Sequence, residues 1–311
     1  TLFFAALTFA DLIMADRMAR NGKTAIDFID DLSSKVADRM QEETAALLEF
    51  RRSLEGPDAP ALAPWDVGYY DEKMRQAHYA FDDEQLRPYF PVDGVVSGMF
   101  EVVKRLYGIE VKEVKDLPVW HPDVRSYAIY DQDGTHLGCF YSDLFPREEK
   151  EQGAWMAQLI TGGPVPQGFE PHLGLICGNF NPALPGQPAL LTHGEVGTLF
   201  HEFGHLLHHC LSTVEIKSLA GTRVAWDFVE LPSQVMENWC WEPECLSIFA
   251  RHYKTGEALP DDLLGKMRAA RNFRNATYYM RQLGLSLLDL KLHMDYSKDT
   301  HGSVVNYCRR E

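Results

Sequence analysis

Apolar residues early in the chain return at steps of three and four, with charges between them: Leu12, Met18 and Ala19, then Ile26, Phe28 and Ile29. That spacing predicts helix over residues 1–55. Asn21-Gly22 marks a break in it. The stretch from about Ala25 to Leu54, with alternating charges, reads as one long helix flanked by solvent. Gly56-Pro57-Asp58-Ala59-Pro60 is a loop, and Pro64-Trp65-Asp66 opens a helix through about Tyr79. Asp93 is placed to cap a helix running to Tyr107, which Gly108 stops.

The pattern changes at Ile109. Tyr127-Ala128-Ile129-Tyr130 and Leu137-Gly138-Cys139-Phe140-Tyr141 are β-prone runs around Asp131-Gln132-Asp133-Gly134, which predicts a hairpin. A loop rich in Gly and Pro follows at 161–171, and Leu173-Gly174-Leu175-Ile176-Cys177 reads as a buried strand. From Thr192 to the end nearly everything carries a helical pattern. The expected fold class is therefore mainly α with a small β-sheet. The chain divides into a helical part, residues 1–108, and a region with the sheet and the candidate chemistry, residues 109–311.

The candidate chemistry is His201-Glu202-Phe203-Gly204-His205. Thr192 and Glu195 fit a capping box that starts a helix well before His201, so the motif sits mid-helix. Val196, Leu199, Phe200, Phe203, Leu206 and Leu207 keep a helical period and predict burial. Histidines at i and i+4 differ by about 40° around the axis, so both rings can reach one metal ion. Glu202 is badly placed as a third ligand but well placed to bond a metal-held water, the position of a general base. Five residues of this kind also occur by chance in unrelated helices. A catalytic zinc needs a third protein ligand. The metallopeptidase pattern that takes it from a later His is excluded, because Leu211 stands there and His208 replaces the Gly. Glu230 is the alternative, on a helix face shared with Gln234 and Glu237. An exposed, merely solvated Glu230 is the competing reading.

Composition narrows the partners. The net charge of −15 argues against nucleic acid. The six cysteines show no C-x-x-C pair and read as reduced cytoplasmic thiols. The apolar run at 2–10 is too short to span a bilayer and lacks the flanks of a signal peptide. With Thr1 entering directly into a helical pattern, the chain is expected to be a fragment of something longer.

The H-E-F-G-H run and the run Asp227–Glu244 (D-F-V-E-L-P-S-Q-V-M-E-N-W-C-W-E-P-E) resemble the thimet-oligopeptidase family of zinc metallopeptidases. So do Pro64-Trp65-Asp66, Leu86-Arg87-Pro88-Tyr89-Phe90, Leu106-Tyr107-Gly108-Ile109 and Val119-Trp120-His121-Pro122-Asp123-Val124. The resemblance implies one Zn2+ held by His201, His205 and Glu230, with Glu202 as general base. It further implies short peptides as substrates and a zincin-like, two-lobed helical molecule with the small sheet lining a channel. Family members are about twice this length, and the chain lacks the Gly- and Tyr-rich loop that in the family stabilises the tetrahedral intermediate. A complete metal site with a weak or absent peptidase rate is therefore expected of these 311 residues. Gln234, Glu237 and Asp227 are candidates to orient the metal ligands. His208 and His193 are read as structural, and Cys177 and Cys210 as small buried hydrophobes. The rival readings are a non-catalytic peptide-binding or structural module with a vestigial metal, against which Glu202 speaks, and a structural zinc site, which would want cysteine ligands.

Overall fold

The structure, a computed structural model, describes residues 8–80, 82–115 and 117–310. In chain order the helices are α1 (Phe9–Met14), α2 (Gly22–Glu55), α3 (Pro64–Tyr79), α4 (Val92–Tyr107), α5 (His193–Cys210), α6 (Glu230–Glu237), α7 (Pro243–Phe249), α8 (Asp261–Ala270), α9 (Asn275–Met294), α10 (Lys298–His301) and α11 (Val304–Cys308). The strands are β1 (Glu110–Glu113), β2 (Arg125–Tyr130), β3 (His136–Asp143), β4 (Trp155–Ile160), β5 (Gly163–Val165), β6 (Gly168–Glu170) and β7 (His172–Cys177). The expected class, mainly α with a small sheet, is borne out: the described residues are 52% helical.

The chain forms two compact units, Thr1–Phe81 with Ala269–Glu311, and Asp82–Arg268. This grouping differs from a division at residue 108 at both ends. Helix α4 belongs with the sheet region, because its buried Val95, Val96, Met99, Val102 and Val103 give it an apolar face that packs there. The last helices belong with the first.

In the first unit the expected break at Asn21-Gly22 is the start of α2, where the Asn21 side chain accepts the Thr24 N–H. The expected helix before Thr8 lies outside the described residues. Helix α9 packs along α2, and its first turn is closed by the buried Glu43 of α2. That carboxylate accepts the N–H of Thr277 at 2.9 Å and its hydroxyl at 2.8 Å. A negative charge at a helix N-terminus satisfies donors that the helix cannot.

The second unit is built on a five-stranded mixed sheet of order β1-β2-β3-β7-β4. The predicted hairpin is β2–β3, and the predicted buried strand is β7, which runs parallel to β3. Two features depart from the sequence pattern. β4 lies antiparallel to β7 at the sheet's edge, and the loop at 161–171 contains the small β5–β6 hairpin. Asp93 is not the cap of α4 either. Pro91 holds that position, and Asp93 lies in the first turn, where it pairs with Arg125 at 2.8 Å. After Thr192 the described chain is mainly helical, with irregular stretches that include 211–229, 250–260, 271–274 and 295–297.

Helix α5 lies across β3, β7 and β4. Val196, Leu199, Phe200, Phe203 and Leu206 are fully buried, as their period predicts. Phe203 meets Phe140 and Phe100, and those two rings and Tyr127 complete one aromatic cluster between helix and sheet. Offset and edge-on ring pairs add to the burial energy, so the motif helix is firmly seated.

Candidate metal centre

The start of α5 is fixed by the capping box that the sequence predicts. Glu195 N–H donates to Thr192 Oγ1 at 3.1 Å, and Thr192 N–H donates to the Glu195 carboxylate at 2.7 Å. The helix therefore reaches His201 and His205 with full regularity. Helix α6 crosses it at Gly204. A Cβ there would lie 2.7 Å from Ser233 Cα and 3.0 Å from Pro232 O. Only glycine lets the two helices come this close, and the close approach is what brings Glu230 to the histidines.

Glu230 Oε2 stands 3.1 Å from His201 Nε2 and 3.1 Å from His205 Nε2. The three ligand atoms lie within 4.8 Å of one another. Ser233 Oγ sits 2.9 Å from the same Glu230 oxygen and donates to it. The outer nitrogen of His201, Nδ1, meets Glu237 Oε1 at 2.7 Å. A carboxylate only accepts, so Glu237 suits the tautomer with the proton on Nδ1, and that tautomer leaves the Nε2 lone pair for a metal ion. Two imidazole nitrogens and a carboxylate oxygen that converge in this way form a donor set for one cation. Zinc ligands about 2.0–2.1 Å from a tetrahedral ion stand roughly 3.3 Å apart, close to the separations seen here. The residues fit zinc with three protein ligands.

Glu202 lies on the next face of α5, 7% exposed. Burial pushes its pKa up. His201 opposes that shift, the Glu230 charge adds to it, and the backbone N–H of Met156 on β4 favours the ionised form. His205 is shifted down, first by burial, and its Nδ1 has no hydrogen-bond partner among the described residues. Each predicted site residue, His201, Glu202, His205 and Glu230, is thus in one place. Of the candidates to orient the ligands, Glu237 is the one that meets His201.

The remaining histidines fall outside the triad. His208 packs against Phe228, and burial lowers its pKa. His193 Nε2 stands 2.9 Å from the Cys240 carbonyl. All six cysteines are free, and Cys177 and Cys210 are buried. Burial raises the Cys177 thiol to about 11 and the Cys210 thiol to about 12, which suits inert packing groups. The part played by β4 has no counterpart in the sequence pattern, because a run of Trp155-Met156-Ala157-Gln158-Leu159-Ile160 lacks the alternation that marks a strand.

Residues 6–310 match Peptidase family M3. The chain belongs to that family. It is 48% identical to oligopeptidase A of Escherichia coli (strain K12) over 295 residues, covering 94% of this chain and 43% of that protein. Oligopeptidase A of Haemophilus influenzae is 41% identical over 301 residues, 96% of this chain and 44% of the relative. A dipeptidyl carboxypeptidase of Escherichia coli (strain K12) is 37% identical over 281 residues, 90% and 41% of the two chains. The resemblance carried by the H-E-F-G-H and D-F-V-E runs is borne out. The M3 chain spans less than half the length of the curated relatives it matches. No described helix is long and apolar enough to cross a membrane.

Proposed function

We propose that this chain carries the zinc site of a metalloendopeptidase that hydrolyses short peptides, with His201, His205 and Glu230 holding the metal and Glu202 as general base. The observation that carries the reading is the convergence of His201 Nε2, His205 Nε2 and Glu230 Oε2, with a buried carboxylate one residue along the same helix. When bound, zinc supplies Lewis acidity, which makes water a nucleophile near neutral pH and polarises the peptide carbonyl.

The residues of the chain do the rest. Glu202 takes the proton of the attacking water and returns it to the leaving amine. Its burial, which raises its pKa, suits a group that must hold a proton between those two events. Glu237 keeps His201 in the tautomer that offers Nε2. Among the described residues β4 pairs with one strand, β7, so its other edge offers backbone donors and acceptors to an extended peptide. Met156 of that strand touches Glu202, so a peptide added there lies along the catalytic carboxylate.

We further propose that these 311 residues bind one zinc and cleave peptides at a reduced rate. Loss of one oxyanion donor costs roughly 10²–10³ in rate in other hydrolases. The six free thiols fit action in the cytoplasm. Glu202→Gln tests the reading, with zinc content and peptide cleavage measured together. The expected variant keeps one zinc per chain and loses cleavage, and a variant that cleaves as well as the parent overturns the assignment.

A further inference from the structure

We propose that Arg223 is a specificity residue of the cleft, taking a carboxylate of the bound peptide about two residues from the bond that is cut. The proposal rests on the peptidase reading above and adds a preference to it.

The starting point is Gln158 on β4. Its carboxamide is used at both ends: Nε2 donates to Thr222 Oγ1 at 2.7 Å, and Oε1 accepts from Arg223 Nε at 3.2 Å. The strand at the sheet's edge thereby grips two consecutive residues of the irregular stretch that follows α5. The backbone just before them is equally constrained. Gly221 has a φ of +63°, and its N–H donates to Ser212 Oγ at 3.1 Å. A Cβ on Gly221 would lie 3.0 Å from both His209 Cα and His209 Nδ1. The segment is therefore pressed onto the end of α5 in a conformation that suits glycine alone.

Arg223 itself is exposed. Among the described residues its guanidinium bonds Gln158 and forms no ion pair, and its charge also acts on the buried His209. In a chain with 45 acidic and 30 basic side chains, an exposed arginine without an acidic neighbour is not what composition supplies by default. An arginine that serves only solubility needs no side chain to hold it, because fixing a long side chain costs rotamer entropy. Here the bond at Nε fixes the plane of the guanidinium and leaves its two Nη groups as a free fork. That fork matches a carboxylate through two parallel N–H···O bonds.

The position follows from the strand. Met156 N–H marks where β4 meets Glu202. Gln158 lies two residues farther on, about 6.6 Å along a strand. A peptide laid against the edge of β4 advances by the same rise, so a group two residues from the attacked carbonyl comes alongside Gln158 and the arginine it holds. The carboxylate could be the free C-terminus of a short peptide or the side chain of Asp or Glu. Both present the same chemistry to the fork.

The test uses zinc-loaded protein in the Glu202→Gln background, so that peptides bind without being cut, and measures the affinity of fluorescently labelled peptides. One pair differs in a free against an amidated C-terminus, and another in Glu against Gln two residues from the intended cleavage site. The expected result is that one acid-bearing peptide binds roughly tenfold or more tightly than its neutral partner. Adding Arg223→Ala should bring that ratio to within about twofold, and Arg223→Lys should restore part of it because charge returns without the fork. Which pair shows the preference identifies the source of the carboxylate. A ratio near one in both pairs, a preference that survives Arg223→Ala, or no binding of any peptide would overturn the proposal. Cleavage is not measured here, so failure of the catalytic reading appears separately, in the Glu202 comparison.

Discussion

The Glu237 carboxylate meets His201 Nδ1 at 2.7 Å, and this one contact decides which nitrogen of His201 faces Glu230. It also spans the two helices of the site, since His201 belongs to α5 and Glu237 to the last turn of α6. The candidate metal ligand and the group that orients it are held by the same helix pair that brings in Glu230. Glu237→Ala should lower zinc affinity roughly 10–100-fold, the usual cost of losing such a partner. Competition with a metal chelator measures it, and an unchanged affinity would show that the bond does not orient the ring.

Gly204 is the narrowest point between α5 and α6. Gly204→Ala puts a methyl group 2.7 Å from Ser233 Cα, which is backbone and has to move. Overpacking of this kind costs about 1–3 kcal/mol, and here the displaced element carries Glu230. The expected outcome is a lower melting temperature together with weakened zinc binding. Loss of stability with unchanged zinc affinity would mean that α6 absorbs the strain without moving its carboxylate.

Asp143 and Lys150 form a second buried charged site, a structural one. Their side chains are 2% and 3% exposed, and the ammonium lies 3.0 Å from the carboxylate. Burial by itself raises the Asp143 pKa. Hydrogen bonds from Arg147, Trp120 and Lys150 outweigh it and hold the carboxyl at about 2, against an ordinary 3.8. The folded pKa is depressed, so this stability is present above pH 3.8 and is lost as pH falls through 2, in all about 2 kcal/mol. Asp143→Ala leaves Lys150 buried without its counter-charge and should destabilise the fold by roughly 3–5 kcal/mol in urea unfolding. A cost below about 1 kcal/mol would contradict the role assigned to the pair.

His209 sets a milder acid limit. It is fully buried, and its ring lies 4.8 Å from that of His172. Burial first, then the neighbouring His172, pushes its pKa from 6.5 to about 4. The unfolded chain therefore binds a proton near pH 6.5 that the folded chain refuses until about pH 4. Stability should fall across that window as pH drops, by about 3 kcal/mol in all, and be flat above it as far as this group is concerned. Urea midpoints for the parent and for His209→Gln measure it, with a shallower slope expected in the variant. Equal slopes would assign the acid sensitivity to other groups.

The helices were legible because their signals are local. The Asn21-Gly22 break, the Pro64 start, the αL glycine at Gly108 and the Thr192–Glu195 box each lie where the corresponding element begins or ends. The convergence of the candidate triad was legible because histidines four apart on a buried helix point one way, while Glu230 was one acidic residue on a later helix face that the resemblance then singled out. What could not be read was non-local. Asp93 is a good cap by type, but Pro91 enters the helix from an extended backbone paired with Leu190. β4 shows no alternation, and it is a strand because β7 offers it an edge. The grip of Gln158 on Thr222 and Arg223 joins residues more than sixty positions apart, which no periodicity reports.

Zinc titration of the purified chain, beside the same titration of Glu230→Ala, tests the central claim most directly. One zinc per chain is expected for the parent, and an affinity at least about 100-fold weaker for the variant, more than the loss of an orienting partner alone. Zinc binding of equal strength in the two proteins, or none in the parent, would contradict the site built by His201, His205 and Glu230.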